Sequence, residues 1–454
     1  MSIGKYNSKS LSSAGKKLYL EDDTADVHFL FESKNAKPER VPAHKILLTA
    51  VSEAFRAMFS GTWKEKNEVP IVDATAAGFK EFLQFFYLDE IRLTAENIGE
   101  VINLGKMYLV TECVKVCDLF LQDNLTVENV CMVYGTATLF DIDELKRLCE
   151  ASISINATAV LKSPGFLKCD QKTIGRILKL DTLSCPEAEV FDASMAWVKA
   201  ASKKDTLTKE AVQAHLGDSF YDIRFGSMKM EEFAAIFDSY SMTSVFTADE
   251  HKDIVQMITT DTHKPKFFNE NRRQDAQTQT FECSRETDDV DEEQPYHIKE
   301  HEVTTFSTNE HLLLKAIVCT GIQYFRKYKW IEELYEDWKS HLTIMEIREV
   351  DGEEVSHILH DDKDFKFKGK GNGRIQLPKP IIIRRGFKYQ IIFEQETDCG
   401  YPICTSFEYV SDEVNIEPGI VIKFHNDEKE HRYRYAENDR MKGGVIRSLE
   451  FSQI

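Results

Sequence analysis

No run of about 18 consecutive apolar residues occurs anywhere in the 454-residue chain, which excludes a transmembrane helix. The first seventeen residues, rich in Ser and Lys, hold no apolar core, so they do not read as a secretory signal. No Cys-x-x-Cys exists among the ten cysteines, scattered from Cys113 to Cys404. Such usage argues against a zinc site or disulfide frame and for buried, reduced thiols in an intracellular protein. Positive charge is in deficit: 57 Lys and Arg face 76 Asp and Glu, a net charge of −19. A chain of that sign repels phosphate backbones, so a nucleic-acid or anionic-membrane ligand would need a local basic patch.

Catalytic signatures are missing as well. No GxSxG, HExxH, P-loop or GxGxxG stands in a strand-to-helix context. Cys113 and Cys117 lie four apart on a predicted helix, a spacing that can ligate metal, but their interleaving with Val114, Val116 and Leu119 reads as core thiols. His297, His301 and His311, and likewise His425 and His431, stand in polar or charged surroundings without a companion cluster and read as solvated histidines. No nucleophile, base and oxyanion hole assemble. The expectation is a protein that is not an enzyme and needs neither cofactor nor metal.

What is present is 42% hydrophobic and 29% charged residues, an ordinary globular balance, over a length that suggests about three domains. Residues 1–24 read as a flexible N-terminal arm. From Asp26 the text becomes regular: Val27, Phe29 and Phe31 share one face of a strand, and 40–44 is a second strand whose Pro42 suits an edge. Helices follow at 45–49 and 52–60, the second capped by Ser52, then a strand at 69–72 and a helix capped by Thr75 with Phe79, Phe82, Leu83 and Phe86 at helical spacing. A short strand at 91–93 and helices at 95–108 and 111–121 complete an α/β domain, 25–123. Residues 124–258 are a series of amphipathic helices split by breakers such as Ser163-Pro164-Gly165, an all-α domain. Residues 259–302, with the acidic run 288–293, read as a solvated linker. Residues 303–454 are strand-like segments separated by Gly-containing turn signals, which predicts an all-β sandwich.

The first domain resembles a BTB/POZ domain, on Ala25-Asp26-Val27, Val41-Pro42-Ala43-His44-Lys45-Ile46-Leu47-Leu48, Ser52-Glu53-Ala54-Phe55-Arg56-Ala57-Met58-Phe59 and Phe85-Phe86-Tyr87-Leu88-Asp89-Glu90-Ile91. The resemblance implies a homodimer, with Asp26 and Lys45 as an acid–base pair near the dimer interface; the alternative is two separate surface charges. It further implies a cullin-3-binding element at Trp63-Lys64-Glu65, the aromatic filling a partner's groove and the acid accepting its hydrogen bonds. Alternatively, Trp63 packs on its own domain. The helical segment is similar to a BACK domain, on Ser163-Pro164-Gly165-Phe166-Leu167, Glu187–Ala193, Met195–Val198 and Met230–Ala234. The last segment is similar to a PHR domain, on Thr305–Asn309, 342–347, 375–389 and Gly443–Phe451. It departs from that family in its end loops (399–402 and 426–434) and in an inserted stretch, 326–339.

Together these resemblances imply a cytosolic substrate adaptor of a cullin-3-RING ubiquitin ligase, with access to the nucleus left open. Its BTB domain would hold the cullin and its sandwich an unknown protein substrate, through Tyr401, Trp330 and Trp338; the alternative for Trp330 is a core anchor. Relatives with this domain order are associated with neuronal development. The competing expectation is a non-catalytic scaffold that dimerises and binds protein partners without a cullin.

Overall fold

The computed structural model describes residues 10–32, 38–60, 67–88, 91–203, 207–239, 245–260 and 262–273, and thereafter 280–284, 287–288, 296–297, 301–319, 322–326, 329–330, 338–350, 353–367, 373–395, 402–404, 408–409, 412–416, 419–425 and 446–454. The chain divides into two compact units, one of residues 1–180 with 185–272, the other of 181–184 with 273–454. The α/β and all-α segments, expected as separate domains, thus share one unit. The Lys106 ammonium donates to the Phe140 carbonyl, and Asn129 brackets the junction by donating to the Asn124 carbonyl. Among the described residues no helix is long and apolar enough to cross a membrane.

In the first unit the alternation of Val27, Phe29 and Phe31 builds strand Val27–Phe31, whose three apolar side chains are buried. Glu39–Ala43 pairs with it antiparallel on one side and Glu68–Ile71 parallel on the other, so Pro42 sits on an edge strand, where its missing N–H costs no ladder bond. Helices Lys45–Val51 and Glu53–Ser60 meet at Ser52, whose hydroxyl accepts from the Phe55 N–H and donates to the Tyr108 carbonyl. Thr75 caps helix Ala76–Tyr87 by accepting from Gly78. Phe29, Phe55, Phe79, Phe82 and Tyr108 then stack into an aromatic core with ring separations from 4.3 to 6.1 Å. Residues 91–94, expected to include a strand, are irregular; their backbone is held by side chains instead, Gln84 accepting from Arg92 and Asn97 from Thr94.

The supposed flexible arm contains a helix, Ser10–Leu18, packed against Ala76–Tyr87. Gly15 permits that approach, since a Cβ there would collide with the Tyr87 carbonyl. Tyr19 completes the seat: its hydroxyl donates to the Lys80 carbonyl at 2.9 Å, and its ring lies 5.9 Å from that of Tyr87.

Helices from Val130–Leu139 to Ala248–Thr259 follow, closed over a cluster of Phe191, Phe220, Phe225, Phe233, Phe246 and Phe268. Phe268 lies beyond position 258, where the helical domain was expected to end. The chain returns there because the buried Asp253 carboxylate accepts the Lys266 and Phe267 amide N–H groups and meets the His263 ring at 2.7 Å. The first part of the expected linker is therefore anchored structure.

The second unit is a sandwich. One of its two main sheets has six strands in the order 353–367, 338–350, 388–395, 301–308, 420–425, 413–416, and the other four in the order 373–383, 312–319, 446–453, 280–284; two small sheets, 329–330 with 322–326, 402–404 and 296–297, and 408–409 with 287–288, complete the unit. The inner faces of the two main sheets share one core that includes Phe306, Ile344 and Ile391 from the first and Leu314, Ile383 and Phe451 from the second. Thr280–Ser284, also inside the expected linker, is the edge strand of the smaller sheet; it pairs with Ile446–Gln453 and buries Cys283 in that core.

Candidate functional site

The first unit presents two regions where apolar side chains stand in water. The first is helix Lys45–Val51. Its start is fixed by Asp26, whose carboxylate accepts the Lys45 backbone N–H at 2.7 Å, an acid at a helix N-terminus where free amides and the helix dipole favour it. Its preceding residue, His44, is held by Tyr87: the phenol oxygen lies 2.8 Å from the His44 backbone N–H and 3.0 Å from Nδ1. Nε2 of the same ring lies 2.9 Å from the Thr24 hydroxyl. One arrangement satisfies all three groups. The phenol accepts from the backbone, donates to Nδ1, and leaves the proton on Nε2 to point at Thr24. Burial pushes the Tyr87 phenol up to about 12, keeping it a donor. With the helix so pinned, Ile46 projects outward with 75% of its surface exposed, and Val51 is exposed beside it.

Asp26 and Lys45 do meet, but the contact runs through the Lys45 backbone amide, while the Lys45 ammonium lies 5.4 Å from the centre of the Phe59 ring. The His44–Tyr87 link went unread in the sequence. Its only local signal was a histidine directly preceding a helix.

The second region lies where two inter-helix turns come together. Lys106, bonded to the Phe140 carbonyl, ties the turn after helix Ile98–Met107 to the turn after helix Val130–Leu139. Leu109 stands in the first turn at 61% exposure and Leu139 in the second at 74%, with Met107 also exposed. Leu109 and Asp141 both hold positive φ, 53° and 48°. For a leucine that conformation costs about 1 kcal/mol; it closes the helix, the Leu109 N–H donating to the Lys106 carbonyl and the Val110 N–H to the Gly105 carbonyl. Val116 and Leu119 are exposed on helix Thr111–Asp123, and Met132 on Val130–Leu139.

Trp63, Lys64 and Glu65 lie outside the described residues, between helix Glu53–Ser60 and strand Glu68–Ile71. Tyr401 also lies outside them. The backbones of Trp330 and Trp338 belong to strands Lys329–Trp330 and Trp338–Val350. Cys113 and Cys117 are fully buried, and the Cys117 thiol is pushed up by sharing a hydrogen bond with Cys113 and by burial. Among the described residues no group of three His, Cys, Asp or Glu is placed to hold a metal ion. Two histidines expected to be solvated are engaged: His311 is buried and accepts from the Arg385 N–H, and His425 lies 2.7 Å from the Ser307 hydroxyl.

Comparison with known proteins follows the same division. The family model described as "BTB/POZ domain" matches residues 16–125, and that described as "BTB And C-terminal Kelch" (BACK) matches 130–238. The chain is 36% identical over 246 residues to BTB/POZ domain-containing protein 6-B of Danio rerio, covering 54% of this chain and 50% of that protein. It is 32% identical over 245 residues to BTB/POZ domain-containing protein 3 of Homo sapiens, covering 53% and 46%. The chain thus spans about half the length of the curated relatives it matches. A solved structure, the BTB domain of zebrafish PATZ1, aligns at 23% identity and a TM-score of 0.23, over 27% of this chain and all of that one.

Proposed function

Because the chain carries a BTB/POZ domain continued by a BACK domain, we propose that it is a dimeric substrate-recognition adaptor of a cullin-3-RING ubiquitin ligase. The observation that carries this reading is the succession of the two family matches, 16–125 and then 130–238, with four residues between them. In this reading Trp63, Lys64 and Glu65 meet the cullin, and the exposed Leu109 and Leu139 offer it further apolar contact at the start of the BACK segment. A leucine at a helix cap that glycine would fill more easily, with its side chain left in water, suits a partner-binding surface. Two copies joined through the BTB domain, with Asp26 and Lys45 near the contact, would bind substrate with avidity, so each contact can be weak. The sandwich, in the manner of a PHR domain, recruits the substrate, and the conjugating enzyme brought by the ligase does the chemistry. The adaptor itself needs no cofactor and works in the cytosol, with the nucleus as a second compartment.

Purified cullin-3 N-terminal domain, tested for retention on the immobilised chain, decides between adaptor and scaffold. Wild type is expected to retain it, Glu65→Lys to lose it without unfolding, and Leu109→Gly to weaken it while leaving stability unchanged or about 0.5–1 kcal/mol higher, since glycine accepts the positive φ. If wild type dimerises yet retains no cullin, the chain is a scaffold and the adaptor reading fails.

A further inference from the structure

The six-stranded sheet ends in strand Glu353–Phe367, which pairs with Trp338–Val350 on one side and, among the described residues, with no strand on the other. A sheet edge offers a row of unpaired N–H and C=O groups, and proteins normally blunt such edges. Three edges of the sandwich follow that rule. Gly373–Ile383 carries Pro378 and Pro380 and loses register between Gln376 and Ile381, while Thr280–Ser284 and Glu413–Ile416 have only five and four residues. Glu353–Phe367 has fifteen residues and no proline. From Val350↔Glu353 to Met345↔Ile358 its pairing runs without a shift, the two register shifts of this strand falling beyond Ile358, and residues 353–358 are exposed on both faces. Val355 is 50% exposed and Ile358 55%; by strand alternation they stand on opposite faces, so a strand laid alongside would find an apolar neighbour on each.

Charge specifies the occupant. The strand holds five acids, Glu353, Glu354, Asp361, Asp362 and Asp364, against Lys363 and Lys366. Asp361 is engaged with His341; Glu353, Glu354, Asp362 and Asp364 remain along the edge, Asp362 accepting the Asp364 backbone N–H. We propose that Glu353–Phe367 is a docking edge for an extended, basic segment of a partner protein, which adds to the sheet as a further strand. Its backbone pairs with the outer edge of residues 353–364, its Lys or Arg side chains lie beside Glu353, Glu354, Asp362 and Asp364, and its apolar side chains lie beside Val355 and Ile358. A second copy of this chain suits the edge poorly, because it would bring a second acidic strand against the first. The inference goes beyond the adaptor reading and holds whether or not a cullin is bound.

The test is fluorescence anisotropy on the full chain with three labelled decapeptides: alternating Val and Lys, alternating Val and Glu, and the Val–Lys peptide with alternate amides N-methylated. The Val–Lys peptide is expected to bind, and the other two to bind at least tenfold more weakly. Replacing Glu353, Glu354, Asp362 and Asp364 together by Lys should reverse the preference to Val–Glu. Successive strand residues send their N–H groups to opposite sides, so of Val355→Pro and Ser356→Pro one spares the ladder with Trp338–Val350. The variant that keeps the wild-type unfolding midpoint should lose Val–Lys binding at least tenfold. Equal binding of the N-methylated peptide would show charge attraction without strand addition and overturn the proposal. So would absence of Val–Lys binding, or a proline variant that keeps both its fold and its affinity.

Discussion

Glu346 shows what a single buried charge demands of its neighbours. It lies almost fully buried in the sandwich, its carboxylate accepting from the Arg384 guanidinium at 2.5 Å, from Arg348 Nε at 2.6 Å and from the Tyr389 hydroxyl at 2.7 Å. The Tyr389 oxygen in turn accepts the Arg384 backbone N–H, and the Arg384 guanidinium lies 4.6 Å from the Phe387 ring centre. Burial pushes the carboxyl up, but the bonds and charge of Arg384, with help from Tyr389 and Arg348, outweigh it and hold the group below its ordinary 4.5. A carboxylate whose folded pKa is depressed stabilises the fold fully above its unfolded pKa, and that stability fades as pH falls through the folded one. Glu346→Ala, which removes the carboxylate that Arg384, Arg348 and Tyr389 share, should cost about 3–5 kcal/mol in urea unfolding at pH 7. The difference from wild type should shrink as pH falls below about 4.5; a pH-independent difference would show that packing rather than charge sets the cost.

At the scale of elements, the N-terminal helix Ser10–Leu18 depends on one residue without a side chain. Gly15→Val should force the helix off Ala76–Tyr87, at about 1–3 kcal/mol, and loosen the backbone at the already exposed Lys16 and Lys17 so that trypsin cuts there faster while the rest of the unit stays protected. Unchanged cleavage kinetics would refute the docking. The same helix shows where local pattern runs out. Period and caps made the strand at Val27 and the helices begun at Ser52 and Thr75 legible, because each carries its own signal. A Ser/Lys-rich stretch docked through a glycine carries none, and neither does Thr280–Ser284, whose partner Ile446–Gln453 lies far along the chain. Among site residues the meeting of Asp26 and Lys45 runs through a backbone amide, which side-chain patterns do not encode. The apolar exposure of Leu109 and Leu139 appears only once the two turns are brought together by Lys106.

The whole molecule is two units, and the position of the first unit's end is testable. Residues 1–272 retain Phe268 in the aromatic cluster and the amides that Asp253 binds, whereas residues 1–258 lose both. The longer fragment should unfold cooperatively on heating, and the shorter should be less stable by about 3–5 kcal/mol, the usual cost of removing a buried phenylalanine, with Asp253 left unpartnered in addition. Equal midpoints would return residues 259–272 to the linker. In the second unit, Ile446–Gln453 is an inner strand of the smaller sheet, standing between Leu312–Cys319 and Thr280–Ser284. The bond between Ser448 and Glu282 joins positions 166 residues apart. On a ribosome adding about 5–20 residues per second, strand Thr280–Ser284 therefore waits roughly ten to thirty seconds for its neighbour to be made. During that interval the half-built sandwich has an open apolar flank, so slow translation near the end of this unit is the period in which it most needs a chaperone.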